Sequence, residues 1–304
     1  MYDVLVAGEI NPDLILTGDV VPRFDQIEQR LDRALLTIGS SSAIFACGAA
    51  RLGLQTAFVG LCGDDVFGRF MLDSMQARGI DVSHVVVRPG QATGLSVILI
   101  GAPDRAILTL PGLIPELRAV DIEDSLLAQA RHLHVASYFL QANLQPDLPA
   151  LFQRAHELGL TTSLDTNYDP SEHWSHLDRV FALTDVVLPN AREAISLTGE
   201  PEVEKAAAAL AALAGTVAIK LGPQGALAMR GTALARVPSI PVKFVDAIGA
   251  GDSFDAGFVY AFLHRWDLQR SLQLACACGA LSVQQAGGTD GQPTLAEAMR
   301  YVSG

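Results

Sequence analysis

Asp246-Ala247-Ile248-Gly249-Ala250-Gly251-Asp252-Ser253-Phe254-Asp255-Ala256-Gly257-Phe258 joins two patterns with different physics. Gly249-Ala250-Gly251 carries little side-chain bulk, so a turn built from it lets the backbone approach a ligand closely. Phe254, Phe258 and Phe262 then recur every four residues, with Val259 and Leu263 beside them, the apolar stripe of a helix facing a core. A glycine-rich turn entering a helix presents unpaired N–H groups and the positive end of the helix dipole, which suits a phosphate or another anion. Asp252 falls in the first turn. Its charge would repel such an anion unless the carboxylate has a separate task, such as taking a proton from an attacking hydroxyl. Read alone, the stretch is equally an ordinary tight turn with an acidic residue at a helix start. One Gly-x-Gly decides little, so the rest of the chain has to.

The chain's 304 residues can bury a large core in one α/β domain or two small ones. Half of them are hydrophobic (50 %) and few are charged (18 %), so the chain folds and is not disordered. A formal net charge of −12 argues against nucleic acid or an anionic membrane as a partner, while leaving room for a local phosphate site. Cys47, Cys62, Cys276 and Cys278 form no Cys-x-x-Cys pair and sit in apolar surroundings, as reduced thiols of a cytoplasmic protein would. His132-x-His134 and His173-x-x-His176 lack the companions of a zinc site and read as structural or surface residues. The N-terminus enters a strand pattern directly, without the features of a signal peptide, and no apolar run is long enough for a bilayer.

Val4-Leu5-Val6-Ala7 is a short apolar run ending at Gly8, typical of a buried strand. Asn11 and Asp13 follow it, two residues apart and so able to face one way toward neighbouring hydroxyls; Asn-Pro-Asp is also plain turn chemistry. Residues 14–38 alternate loosely and read as strands and loops outside the main core. Gly39-Ser40-Ser41-Ser42 opens a small-residue helix that stops at Gly53. Two apolar runs flank Gly101-Ala102-Pro103-Asp104-Arg105, a strong hairpin signal closed by Pro111-Gly112. With residues 14–38, residues 91–112 are expected to form a small sheet over the site, a lid.

From His132 onward strands and helices alternate, with a helix over residues 203–214 and a strand over 216–221. The alternation predicts a three-layer α/β/α fold in one domain, with a mostly parallel central sheet. Asn11 and Asp13, Asp165 and Asn167, Asn190 and Glu193, Gly222 and Gly225, and residues 249–252 then all fall at the carboxyl ends of strands. Each has a plain reading on its own: Asn190 and Glu193 as a capping box, Gly222 and Gly225 as turn glycines. Gathered on one edge, they outline a cleft for a phosphorylated ligand.

In this order the motifs resemble a PfkB-type sugar kinase of the ribokinase family, over nearly the whole chain. Asp246-Ala247-Ile248-Gly249-Ala250-Gly251-Asp252 resembles the family's Asp-Thr-x-Gly-Ala-Gly-Asp, with Ala247 for Thr. Glu9-Ile10-Asn11-Pro12-Asp13 resembles its substrate-binding Asn-x-Asp after the first strand, and Gly60-Leu61-Cys62-Gly63-Asp64-Asp65-Val66-Phe67-Gly68 its Gly-x-x-Gly-x-Asp-x-x-Gly run. Asn190-Ala191-Arg192-Glu193 matches Asn-x-x-Glu, which organises magnesium and phosphate, and Lys220-Leu221-Gly222-Pro223-Gln224-Gly225 resembles the nucleotide-binding Lys-x-Gly-x-x-Gly.

The resemblance implies transfer of the γ-phosphate of ATP to a hydroxyl of a sugar or sugar-like substrate. Asp252 would be the base, with the amides of Gly249, Ala250 and Gly251 as the anion hole. Asn11, Asp13, Gly39, Ser40, Ser41, Ile44 and Asn167 would line the substrate pocket. Asn190, Lys220, Gly222, Gly225, Gly249 and Gly251 would meet the nucleotide. Asn190 and Glu193 would hold Mg²⁺ through water, and Asp246 with the Ile248 carbonyl a monovalent cation such as K⁺. Members often pair through their lids, and the apolar hairpin permits such a homodimer. One departure matters. Where the family has Gly-Gly-x-x-x-Asn, with the Asn on the sugar, this chain has Gly39-Ser40-Ser41-Ser42-Ala43-Ile44. Ile44 removes an amide, and the serine hydroxyls are expected to substitute in part. A nucleoside or other alcohol kinase therefore stays open, as does a non-catalytic sugar- or nucleotide-binding regulator, although the latter usually damages Gly-Ala-Gly-Asp. A dinucleotide-binding oxidoreductase fits poorly, since no Gly-x-Gly-x-x-Gly follows the first strand.

Overall fold

Val4–Ala7 forms the first strand, and its residues are inaccessible to solvent. Their alternation sorts them: Val4 and Val6 join one apolar core, Leu5 and Ala7 another on the opposite face. A strand buried on both faces needs helices on both sides, which is why the run is apolar throughout. The structure, a computed structural model, describes residues 1–101, 105–175 and 177–303. The expected hairpin turn at residues 102–104 and His176 lie outside the described residues.

The large sheet has eight strands in the order Ala233–Val237, Ala226–Arg230, Thr216–Lys220, Val186–Val187, Thr161–Leu164, His132–Val135, Val4–Ala7, Thr56–Val59. Pairing is parallel from Thr216–Lys220 to Thr56–Val59, and the two strands beyond Thr216–Lys220 pair antiparallel. Helices Ser41–Arg51, Ala250–Leu263 and Leu268–Ser282 supply one core, and Leu148–Glu157 and Val203–Leu213 the other. This is the three-layer arrangement that the alternation predicts. Because the central strands are parallel, their carboxyl ends share one edge, where open α/β sheets bind ligands.

A second sheet orders Leu31–Ile38, Pro12–Gly18, Leu95–Ile100 and Arg105–Leu110. It is built from the two excursions. Pro12–Gly18 continues almost directly from the first strand, so this sheet begins at the carboxyl edge of the large one.

The helix Ala250–Leu263 is more deeply buried than its stripe suggests. Every residue from Asp252 to Ala261 is buried, because Ser41–Arg51 and Leu268–Ser282 pack on it. Its apolar stripe is present as expected, with Phe254, Phe258 and Val259 in the core and Phe262 and Leu263 partly covered. The four cysteines are buried and free. His132 bonds Thr161 and Ser163, and His134 bonds Ser163, each at 2.7 Å, as structural histidines between two strands. Among the described residues, no helix is long and apolar enough to cross a membrane.

Candidate active site

Gly249 caps the helix Ala250–Leu263 in the left-handed region, φ 71°. A Cβ there would lie 2.6 Å from the Gly288 backbone, so both conformation and space demand glycine. The Ala250 amide makes a long turn bond to the Ala247 carbonyl at 3.3 Å, and Ser253 N–H donates to the Gly249 carbonyl at 2.9 Å. Between them, the amides of Gly251 and Asp252 have no acceptor among the described residues, as expected of a first helical turn. Gly251 lies over the end of Lys220: a Cβ on it would be 3.6 Å from Nζ.

Asp252 sits beneath this turn in an acidic cluster. Oxygens of Asp165, Asp252 and Asp255 lie within 4.8 Å of one another, and all three residues are buried. Lys220 reaches in from the end of its strand, its ammonium donating to Asp165 at 2.7 Å and to both Asp255 oxygens at 3.0 and 3.1 Å. One cation cannot hold three buried carboxylates ionised. Burial works to raise Asp165, but the Lys220 charge and the hydrogen bonds it receives hold it below the usual carboxylate range. Burial, opposed by Lys220 and reinforced by the Asp165 charge, pushes Asp255 well up. Asp252 is raised to about 7 by burial and the Asp165 charge, against the pull of Lys220 and a hydrogen bond with Ser41. Asp252 is therefore a buried carboxyl poised near neutrality beside unpaired amides, while its neighbour Asp255 is tied to an ammonium.

Asn190 and Glu193 form the capping box. The Asn190 side chain accepts the Glu193 amide at 2.9 Å, and Glu193 accepts the Asn190 amide at 2.8 Å and its Nδ2 at 2.5 Å. A bridge pairs Asn190 with Lys220, which brings this helix start beside the cluster. Burial and the nearby Asp165 charge raise Glu193 to about 7.

The substrate-side residues gather where the two sheets meet. Asn11 Nδ2 points to Asp13 at 3.5 Å and to Ser96 Oγ at 3.3 Å, and Ser96 faces Thr109 at 3.1 Å. Burial lifts Asp13 to about 7, with Arg105 opposing and Asp246 reinforcing. A Cβ on Gly39 would fall 2.1 Å from Asp13 Oδ1, so the glycine makes room for that carboxyl. Of the serines 40–42, expected to offer hydroxyls in place of the missing amide, Ser40 and Ser42 donate theirs within the protein. Ser40, at φ 66°, caps its helix by accepting the Ala43 amide and donates to the Glu9 carbonyl. Ser41 accepts from Asn167 at 3.1 Å, and Ser42 donates to Glu9 at 2.5 Å. Ile44 is buried, its Cδ1 against Gly288, behind the glycine turn. Asp246 accepts the Ile248 amide at 3.0 Å and the Gly287 amide at 3.1 Å, joining the glycine turn to the loop behind it.

Lys220, expected on the nucleotide, spends its ammonium on the acidic cluster, because Asp165 and Asp255 converge beneath it. Gly222 and Gly225 make a single turn after the strand, with φ 57° and 93°. The sequence alone does not mark Glu9 and Ser96 as site residues. Glu9 lies two residues before Asn11, and its partners Ser42 and Ser137 are distant in sequence. Ser96 faces Asp13 through strand register, which local pattern does not carry.

Fold and site together define a phosphotransferase of the sugar-kinase class, an α/β/α sandwich whose helix-start glycine turn lies beside a buried carboxyl. The chain belongs to the pfkB family carbohydrate kinases, whose family model matches residues 1–295. It is 31 % identical over 291 residues to an ATP-dependent ribose-1-phosphate kinase of Halopiger xanaduensis, covering 94 % of each chain. It is 29 % identical over 285 residues to a 5-dehydro-2-deoxygluconokinase of Geobacillus thermodenitrificans, covering 87 % of this chain and 84 % of that one. A putative ribokinase II from E. coli, solved in complex with ATP and Mg²⁺, superposes with a TM-score of 0.85 at 25 % identity over 99 % of both chains.

Proposed function

We propose that this chain transfers the γ-phosphoryl group of ATP to a hydroxyl of a sugar or sugar-like acceptor. The observation that carries the reading is Asp252: a buried carboxyl raised to about 7, in the first turn of a helix whose Gly251 and Asp252 amides are unpaired among the described residues. Phosphoryl transfer depends mainly on positioning and charge stabilisation. The unpaired amides of Gly251 and Asp252 stabilise the charge on the transferring group, while the Ala250 amide, expected beside them, already bonds the Ala247 carbonyl. Asp252 takes the proton of the attacking hydroxyl. Asp255 is the poorer base, since its oxygens are both bonded to Lys220. Asn11 and Asp13 bind acceptor hydroxyls, and the small sheet acts as a lid that excludes water.

The buried Glu193 carboxyl, next to the Asp165 charge, suits a divalent cation. Asn190 and Glu193 would hold Mg²⁺ through water, and the ion would neutralise phosphate charge. Asp246 and the Ile248 carbonyl would take a monovalent cation; the Asp246 oxygens accept the amides of Ile248 and Gly287, which fix the carboxylate at the glycine turn. The outer strand Arg105–Leu110 is exposed along its length, with Ile107, Leu108 and Leu110 all more than half exposed, which favours pairing of two copies through the lid.

Ile44 favours a second reading of the acceptor. The missing amide removes one hydrogen-bonding group for an acceptor hydroxyl, which keeps a nucleoside or other alcohol open. The test is ADP release with Mg²⁺-ATP over a panel of sugars, sugar acids and nucleosides, with and without K⁺. An acceptor-dependent signal is expected. ATP binding without turnover on any alcohol would point instead to a regulator.

A further inference from the structure

Gln292 is buried, in the segment that follows the helix Leu268–Ser282. Its side chain reaches between the helices Ser41–Arg51 and Ala250–Leu263, donating to the Ile44 carbonyl at 2.9 Å and to Ser253 Oγ at 3.1 Å. A carbonyl only accepts, so this end is Nε2, and both its protons are spent. Gly48 opens the passage: a Cβ there would stand 3.0 Å from Gln292 Nε2 and 2.9 Å from the Ala256 methyl. Glycine weakens a helix interior, and here it makes room for the amide. Segment 287–292 meets the glycine turn at three points. Gly287 donates its amide to Asp246 at 3.1 Å, ahead of the turn. The Gly288 backbone lies against Gly249, where a Cβ would be 2.6 Å away. Gln292 reaches Ser253, the residue after Asp252. The first two contacts engage the main chain of the segment, and the third is made by its side chain. The segment is anchored from outside, where Arg78 donates to Thr289 Oγ1 at 3.1 Å and pairs with Asp290 at 2.9 Å.

We propose that Gln292 is a positioning residue for phosphoryl transfer: by tying Ser253 to the Ile44 carbonyl, it fixes the first turn of the helix Ala250–Leu263 and with it the aim of the Gly251 and Asp252 amides. The proposal rests on the reading of that turn as the seat of the transferring group. A first helical turn has no preceding turn to bond to, so its orientation comes from its neighbours. Gln292 holds it against a second helix at the level of Asp252, through an anchored segment that also backs Gly249.

Gln292→Met tests it, since it keeps the length of the side chain and removes both donors. Turnover is counted per ATP-binding site, by titration with Mg²⁺-ATP, at a temperature well below the melting point of the variant. kcat per site should fall by about tenfold or more, as a misplaced catalytic group implies, with the KM values for ATP and acceptor nearly unchanged. Ser253→Ala removes the acceptor at the other end of the tie and should lower kcat in the same way; where Gln292→Met does not fold, this variant decides. The double variant should be no worse than Gln292→Met alone, because the two residues act through one contact. A tie that only stabilises the fold would lower the melting temperature and the number of ATP-binding sites and leave kcat per site native. That result would overturn the proposal, as would fully additive losses in the double variant. The reading of the glycine turn fails separately, through native kcat in Gly249→Ala.

Discussion

The ammonium of Lys220 lies 2.7 Å from an oxygen of Asp165, with side-chain exposures of 13 % and 2 %. A pair this buried adds little over two apolar residues, but breaking it leaves an uncompensated charge. Lys220→Met should therefore lower the free energy of unfolding by about 3–5 kcal/mol at pH 7, read from urea titration. In the native protein Asp165 lies below its ordinary range, so its stabilisation holds above about pH 4 and is lost only as pH falls through its lower folded value. In the variant the orphaned carboxyls take up protons, and the deficit should narrow from pH 7 toward pH 5. An unchanged urea midpoint at pH 7 would show that the pair does not hold the cluster.

Asp252 is perturbed in the other direction. Its folded value of about 7 exceeds its unfolded one, so its contribution is complete below about pH 4 and is lost as pH rises through about 7. Asp252→Asn removes this dependence. The stability of the variant relative to the native protein should rise between pH 5 and pH 8, measured by denaturant titration at each pH. A flat difference would mean that Asp252 is already ionised at pH 5.

Gly39 and Asp13 are matched by space. A methyl group at Gly39 would stand 2.1 Å from Asp13 Oδ1, so Gly39→Ala must displace the carboxyl. If Asp13 binds the acceptor, the KM for the acceptor should rise by roughly tenfold or more, as a misplaced binding group implies, and the KM for ATP should hold. Equal rises in both would assign Asp13 to the frame of the site and not to one substrate.

Much of this could be read from the chain, and the reason is periodicity. Val4–Ala7 is a bounded apolar run, the stripe of Phe254 and Phe258 carries the helical period, and Asn190 with Glu193 is a local cap. The joined edge of the sheet follows from the order of strands and helices. Pairings set by long-range packing were out of reach. Lys220 reads as a nucleotide residue because it precedes a glycine turn, while its partners are 55 and 35 residues away. Ser40 reads as a lost glycine, yet it keeps the positive φ that glycine would take and adds a cap.

The glycine turn offers a matched pair of substitutions. Gly249 and Gly222 both have positive φ, but of the two only a Cβ on Gly249 meets backbone, at Gly288. Gly222→Ala should cost about 1 kcal/mol. Gly249→Ala adds overpacking to strain, about 2–5 kcal/mol, and should disable phosphoryl transfer. Equal melting temperatures for the two variants would show that the turn is not tightly packed on Gly288.

The most direct test is turnover by Asp252→Asn beside Asp255→Asn, at saturating Mg²⁺-ATP and acceptor, with ATP affinity measured separately. Loss of a general base predicts a fall in kcat of about 10²–10⁴-fold for Asp252→Asn, with ATP still bound. Near-native turnover by Asp252→Asn would contradict the assignment.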